Sequence, residues 1–207
     1  VSDPRLPGRR GAILVGGPSP LPALLAIRDK LLAAGATMLA MPCNTAHYWV
    51  DDLVRDCPVP FVSIVEASCA AVRPLAGPRS RIGLIGTRAT LAAGIFDRRL
   101  QADGYSVVLP SEAEMATAVL PSIRLVKEGR SAQAGELLTP AVQALFDRGA
   151  AAVVLACTET PVALDAAASP LRARCVDSNR ALAKACVARW FGDRAKGGDQ
   201  SAAARSA

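Results

Sequence analysis

Apolar positions along this chain follow two patterns, a helical spacing over the longer stretches and short unbroken runs that suit buried strands. Residues 20–34 (PLPALLAIRDKLLAA) carry the helical spacing and stop at Gly35, a C-terminal cap signal. Residues 37–41 (TMLAM) predict a strand closed by Pro42, 46–55 a helix, 60–65 (PFVSIV) a strand and 66–73 the start of a helix. The stretch 74–80 (PLAGPRS) is rich in Pro and Gly and is the best linker. A second unit follows, with a strand at 81–86, a helix at 90–103 and a strand at 105–109. Helical stretches come next at 112–128 and 131–148, the second stopping at Gly149, then strands at 151–156 and 174–177 and a last helix at 178–191. The small, polar stretch 193–207 is expected to be disordered. Short apolar strands between helices predict an α/β fold with a parallel sheet covered on both faces.

The pattern repeats itself. AAGATMLAMPCNTA (33–46) resembles RGAAAVVLACTETP (148–161), and Gly35 precedes Cys43 by the same spacing with which Gly149 precedes Cys157. Ser63 and Asp177 likewise follow their cysteines at one shared distance. This predicts two similar three-layer α/β/α halves with parallel sheets, related by a pseudo-twofold axis. Each places one cysteine at the C-terminal end of a strand, where open α/β sheets bind ligands, so the active site is expected between them. Residues 1–75, completed by 178–192, would form the first half and 80–177 the second. The run from Arg81 to Cys157 is much longer than the run from Val1 to Cys43. Equivalent halves therefore predict a first half that lacks its first strand and helix.

Composition narrows the function classes. Hydrophobic residues make up 51% and charged residues 20%, which supports a packed core and excludes wholesale disorder. Aromatics are only 4%, so that core must come from Ala, Leu, Val and Ile. The net charge of +6 arises from scattered basic residues with no aromatic platform among them, which argues against a nucleic-acid partner. The longest uncharged stretch, Leu31 to Val50, is interrupted by Gly35, Pro42, Asn44 and His47, so no membrane span is expected. The opening VSDPRLPGRR does not read as a signal peptide. Six cysteines without a C-x-x-C, beside a single histidine, give poor support to a metal site or a disulfide framework. A cytoplasmic protein with reduced thiols is expected, with Cys57, Cys69, Cys175 and Cys186 structural.

Cys43 in PCNTAH and Cys157 in ACTET each follow a strand and precede a helix. A helix N-terminus favours negative charge and is expected to lower a thiol pKa from its free value of about 8.5. Asn44, Thr45 and Thr158 add side-chain donors beside backbone N–H groups, a set that suits a carboxylate. A buried cysteine in a tight turn is the plain alternative for either thiol, and the matched repeat weighs against it for both. His47 could polarise Cys43, or, one turn into a helix, could be a packed or capping residue. Thr87 and Thr90 end a strand beside the presumed cleft and are substrate contacts of second rank. Gly83 and Gly86 do not make G-x-G-x-x-G, so no dinucleotide site is expected.

PCNTAH and ACTE resemble the paired signatures of the aspartate/glutamate racemase family, its aspartate racemase branch most of all. The glutamate racemase branch usually has CTH where this chain has Cys157-Thr158-Glu159. SDPRLPGR (2–9), GLIGTRAT (83–90) and IRLVKEG (123–129) are similar to family segments in family order, so the resemblance covers roughly residues 2–190. It implies an isomerase that racemises L- and D-aspartate, or a related acidic amino acid, with no cofactor and no metal. Without pyridoxal phosphate nothing spreads the carbanion's charge, so the site must supply a thiolate on one face of Cα, a thiol on the other, and fixed donors for the carboxylate. Cys43 and Cys157 match the acid/base pair, and Arg9 and Lys127 match cations that grip substrate carboxylate. Asn44, Thr45 and Thr158 match residues that hold the α-carboxylate and amino group. Glu159 takes the place of a family histidine and would accept a proton from Cys157 or orient it. The resemblance also implies a small-molecule substrate and a homodimer. The family's first strand ends in a Gly-rich loop, and nothing in this chain matches it. Rival readings are a decarboxylase on the same scaffold, which keeps only one of the two cysteines, and a non-catalytic relic of the fold.

Overall fold

A computed structural model describes residues 6–203; of 193–203 it describes the backbone alone. In chain order it shows α1 (Arg9–Val15), α2 (Leu21–Ala33), β1 (Leu39–Ala40), a 3₁₀ turn at Thr45–Trp49, α3 (Val50–Val54), β2 (Phe61–Val62) and α4 (Ile64–Val72). Next come β3 (Arg81–Gly86), α5 (Arg88–Ala92), α6 (Ile95–Ala102), β4 (Ser106–Val108), α7 (Glu112–Glu114), a π turn at Met115–Val119, α8 (Leu120–Lys127) and α9 (Ser131–Asp147). The chain closes with β5 (Ala150–Ala156), α10 (Thr160–Ala166), a 3₁₀ turn at Pro170–Arg174, β6 (Cys175–Asp177) and α11 (Ser178–Ala203). The expectation of disorder over 193–207 falls on residues whose side chains are not described, and 204–207 lie outside the described residues. Among the described residues no helix is long and apolar enough to cross a membrane.

Where elements differ from the sequence pattern, local chemistry accounts for it. The stretch read as one helix over 90–103 breaks at Gly94, whose φ of 63° leaves the helical region. The stretch 112–128 passes through a π turn just before Pro121, which has no N–H to give the carbonyl four residues back. The 46–55 helix opens as a 3₁₀ turn, and helix α1 was not anticipated because none of its residues is buried, so it carries no apolar stripe.

All strand pairs are parallel. One sheet has the order β4-β3-β5-β6 and the other is the pair β1-β2. The repeat holds at the level of hydrogen-bond register. Leu39 pairs with Phe61 and Ala40 with Val62, while Val153 pairs with Cys175 and Val154 with Val176. The second set of pairs is the first moved along the chain by the offset that relates Cys43 to Cys157. Gly35 and Gly149, related by that offset too, have φ of 83° and 86° and turn each helix into its strand. The caps also correspond: Ser63 accepts from the Glu66 amide at 3.3 Å and Asp177 from the Arg180 amide at 3.0 Å.

Helices cover the larger sheet on both faces, giving three layers. Leu138, Val142 and Leu145 of α9, with Ile123 of α8 and Leu164 of α10, pack with Val153 and Leu155 of β5. Phe96 and Leu100 of α6, Ile64 and Cys69 of α4, and Leu182 of α11 pack with Ile82, Leu84 and Val154 on the other side. The second cluster joins residues before 74 to residues after 80, so the hydrophobic core runs across the Pro/Gly-rich stretch. The small sheet is more open. β5 is flanked by β3 and β6, whereas among the described residues β1 pairs with β2 alone. Beside β1 lies an apolar cavity of about 490 Å³ lined by Leu24, Ile27 and Leu31 of α2 together with Leu39 and Phe61.

Candidate active site

The Cys43 loop begins where β1 stops. Pro42 cannot continue a ladder, and the Cys43 amide turns back to the Met41 carbonyl at 2.9 Å. Asn44 follows, buried, with Nδ2 donating to Ser178 Oγ at 3.1 Å. Ser178 in turn donates to the Leu155 carbonyl at 2.9 Å, which ties this loop to the C-terminal end of β5. Thr45 Oγ1 is 2.7 Å from Thr90 Oγ1 and 3.5 Å from Thr87 Oγ1, and those two hydroxyls are 3.0 Å apart. Three buried hydroxyls thus join the Cys43 loop to the β3–α5 turn, where Thr87 also caps α5 through the Thr90 amide.

Cys157 sits one residue past β5. Its carbonyl accepts from the Thr160 hydroxyl at 2.9 Å, which fixes the turn into α10. Its thiol is buried and donates to Glu159 Oε2 at 2.9 Å, an oxygen that also accepts from Thr158 Oγ1 at 2.9 Å. Lys127 Nζ, at the end of α8, lies 3.5 Å from Glu159 Oε1. Burial, then the hydrogen bond and negative charge of Glu159, push the Cys157 thiol up to about 12. This corrects the expectation that a helix N-terminus lowers the Cys157 pKa: α10 is only two turns long, and desolvation and the carboxylate outweigh it. Burial alone would raise Glu159, but the bonds from Cys157 and Thr158 and the Lys127 charge hold it below the usual carboxylate range.

The two loops open on one cavity of about 360 Å³. Its lining brings together nine of the residues singled out from sequence: Arg9, Cys43, Asn44, Thr45, Thr87, Lys127, Cys157, Thr158 and Glu159. Arg10 also lines it, from the first turn of α1, and so does Ile123 of α8. Sequence reasoning passed over both: Arg10 because α1 has no periodic signal, Ile123 because it reads as plain core. Among the described residues no group of three or more His, Cys, Asp or Glu is placed to hold a metal ion.

His47 stands apart, and of its two sequence readings the structure shows the packed one, not the polarising one. It does not line the cavity, and both ring nitrogens face backbone groups: Nδ1 is 2.9 Å from the Cys43 carbonyl, and Nε2 accepts from the Ile64 amide at 3.1 Å. No nitrogen is left to polarise the Cys43 thiol. Burial pulls its pKa down to about 4, against a smaller opposite pull from the Cys43 carbonyl.

An α/β fold with one thiol at the end of each of two repeat-related strands, both opening on a single basic cavity, defines the class. The chain belongs to the Asp/Glu/hydantoin racemase family, whose model matches residues 6–186. Among solved structures it is similar to the Picrophilus torridus aspartate racemase, with 27% identity, a TM-score of 0.72, and coverage of 87% of this chain and 74% of that one. It is 26% identical over 162 residues to a broad specificity amino-acid racemase of Bacillus subtilis, covering 78% of this chain and 68% of that protein. It is 33% identical over 153 residues to a glutamate racemase of Corynebacterium kroppenstedtii, covering 70% of this chain and 51% of that one.

Proposed function

We propose that this chain is an amino-acid racemase that interconverts the enantiomers of aspartate, or of a closely related acidic amino acid, by two-thiol proton transfer at Cα without a cofactor. The observation that carries this reading is the pairing of Cys43 and Cys157, equivalent in the repeat, on one cavity whose other charged lining groups are Arg9, Arg10, Lys127 and Glu159. Three cations against one carboxylate suit a substrate with two carboxylates. An amino-acid Cα–H is a very weak acid, so one thiolate removes the proton while a thiol on the opposite face returns one, and the reverse reaction exchanges their parts. Cys157, held as a thiol on Glu159, is the proton donor of the free protein, and Cys43 is the base of the first half-reaction. Turnover in that direction leaves Cys157 a thiolate and Cys43 a thiol, and the starting state returns when Cys43 gives a proton to water and Cys157 takes one from water.

In the same reading, residues 1–75 with 178–192 and residues 80–177 are the two halves, and the assembly is a homodimer. The test is to incubate the protein with L-aspartate, and separately L-glutamate, in D₂O and follow the Cα proton by NMR. Loss of that proton with growth of the D-enantiomer is expected. No exchange with any acidic amino acid overturns the proposal.

A further inference from the structure

We propose that His47 is a positioning residue: a neutral imidazole bridge that holds the Cys43 backbone on the first amide of α4 and so sets where the thiol stands in the cavity. The inference rests on reading Cys43 as one of the two acid/base thiols. β1 ends at Ala40, so among the described residues no strand ladder reaches Cys43, and its backbone is held by its turn back to Met41 and by the ring of His47. The ring is 2% exposed and lies tilted against Phe61 of β2, with centroids 5.9 Å apart. The Ile64 N–H needs an acceptor, so Nε2 carries no proton. The proton is therefore on Nδ1, which donates to the Cys43 carbonyl. One rigid side chain thus joins the end of β1 to the start of α4, immediately after β2. The other half solves the same problem differently, with the Thr160 hydroxyl on the Cys157 carbonyl. A small tilt of this bridge moves the Cys43 thiol without touching the substrate, and a displacement of about 1 Å costs on the order of a hundredfold in rate.

His47 is the only histidine of the chain, so its ring nitrogens give unambiguous NMR signals. Long-range ¹H–¹⁵N spectra of the full chain are expected to show the Nδ1–H tautomer, with Nε2 as bare acceptor. The Nε2–H tautomer, or a cationic ring at neutral pH, overturns the proposal. The second arm compares His47→Gln, which keeps one donor and one acceptor, with His47→Phe, which keeps only the bulk. Iodoacetamide alkylation is followed by mass spectrometry, with Cys57, a half-buried thiol bonded to the Val59 carbonyl, as the internal reference. His47→Phe is expected to change the Cys43 rate several-fold with Cys57 unmoved, and His47→Gln to restore it to within about twofold. Where the protein racemises, kcat is expected to fall on the order of a hundredfold in His47→Phe with KM nearly constant. An unchanged Cys43 rate in a folded His47→Phe protein overturns the proposal. If His47→Phe does not fold, a His47→Gln protein that folds but differs in Cys43 rate overturns it. Alkylation and tautomer need no turnover, so their outcome stands apart from the racemase reading itself.

Discussion

Cys43 and Cys157 occupy equivalent places in a repeat that holds down to strand register, yet their surroundings differ. Cys157 follows a seven-residue strand flanked on both sides, is buried, and donates a hydrogen bond to a carboxylate. Cys43 follows a two-residue strand, is half-buried, has no carboxylate hydrogen-bonded to its sulfur among the described residues, and hangs from an imidazole bridge. The repeat copied the geometry of strand, thiol and cap. It did not copy the electrostatics, because the residue two places after each cysteine is Thr45 in one loop and Glu159 in the other. A two-base reaction needs matching positions and, at any instant, opposite protonation states. On the reading proposed above, the repeat supplies the positions, and burial and Glu159 keep Cys157 in its thiol form.

The largest expected effect would break the comparison outright. Cys43→Ala and Cys157→Ala are each expected to reduce racemisation by on the order of 10³-fold or more, the scale of a lost acid or base. Each variant should still exchange the Cα proton of one enantiomer, opposite for the two variants, in D₂O. Equal residual exchange of both enantiomers would make the faces indistinguishable and the comparison empty.

Packing gives the next effect. Leu155 is fully buried in the central strand of the larger sheet, whereas Leu39 borders the open apolar cavity. Leu155→Ala is expected to cost ~3–4 kcal/mol and Leu39→Ala ~2 kcal/mol or less in urea unfolding, because a side chain beside an existing void loses fewer contacts.

Acid should then separate the two loops. His47 has its pKa depressed to about 4 in the folded protein from 6.5 when unfolded. Between those values the unfolded chain binds the extra proton, so stability falls as pH drops from about 6.5 toward about 4 and is fully present above that window. The loss is on the order of 3 kcal/mol, and His47→Gln should remove it from the pH dependence of unfolding.

The smallest effect sharpens the electrostatic half of the contrast. Glu159→Gln removes one cause of the raised Cys157 pKa and leaves burial, the larger one. Alkylation of Cys157 near pH 9 should rise roughly tenfold for each unit its pKa falls, while the Cys43 rate stays put.

Much of this was legible in the chain itself. The repeat, the cysteines and the glycines that end their preceding helices lie in short segments whose spacing survives folding. What escaped was carried by long-range or aperiodic contacts. Arg10 enters the cavity on a helix with no buried face, and His47 is read correctly only once Ile64, from beyond the next strand, is beside it. The pKa of Cys157 turned on burial, which a motif does not state.

The three hydroxyls of Thr45, Thr87 and Thr90 carry a further consequence. Each can donate or accept, and their oxygens form a closed triangle of 2.7, 3.0 and 3.5 Å. Two circulating orders of their protons, clockwise and counter-clockwise, fit the same heavy-atom positions. In either order all three protons stay inside the triangle, so Thr45 and Thr87, the two of the three that line the cavity, face it as acceptors. That part of the wall therefore suits a cationic group better than an anionic one, whichever way the protons circulate.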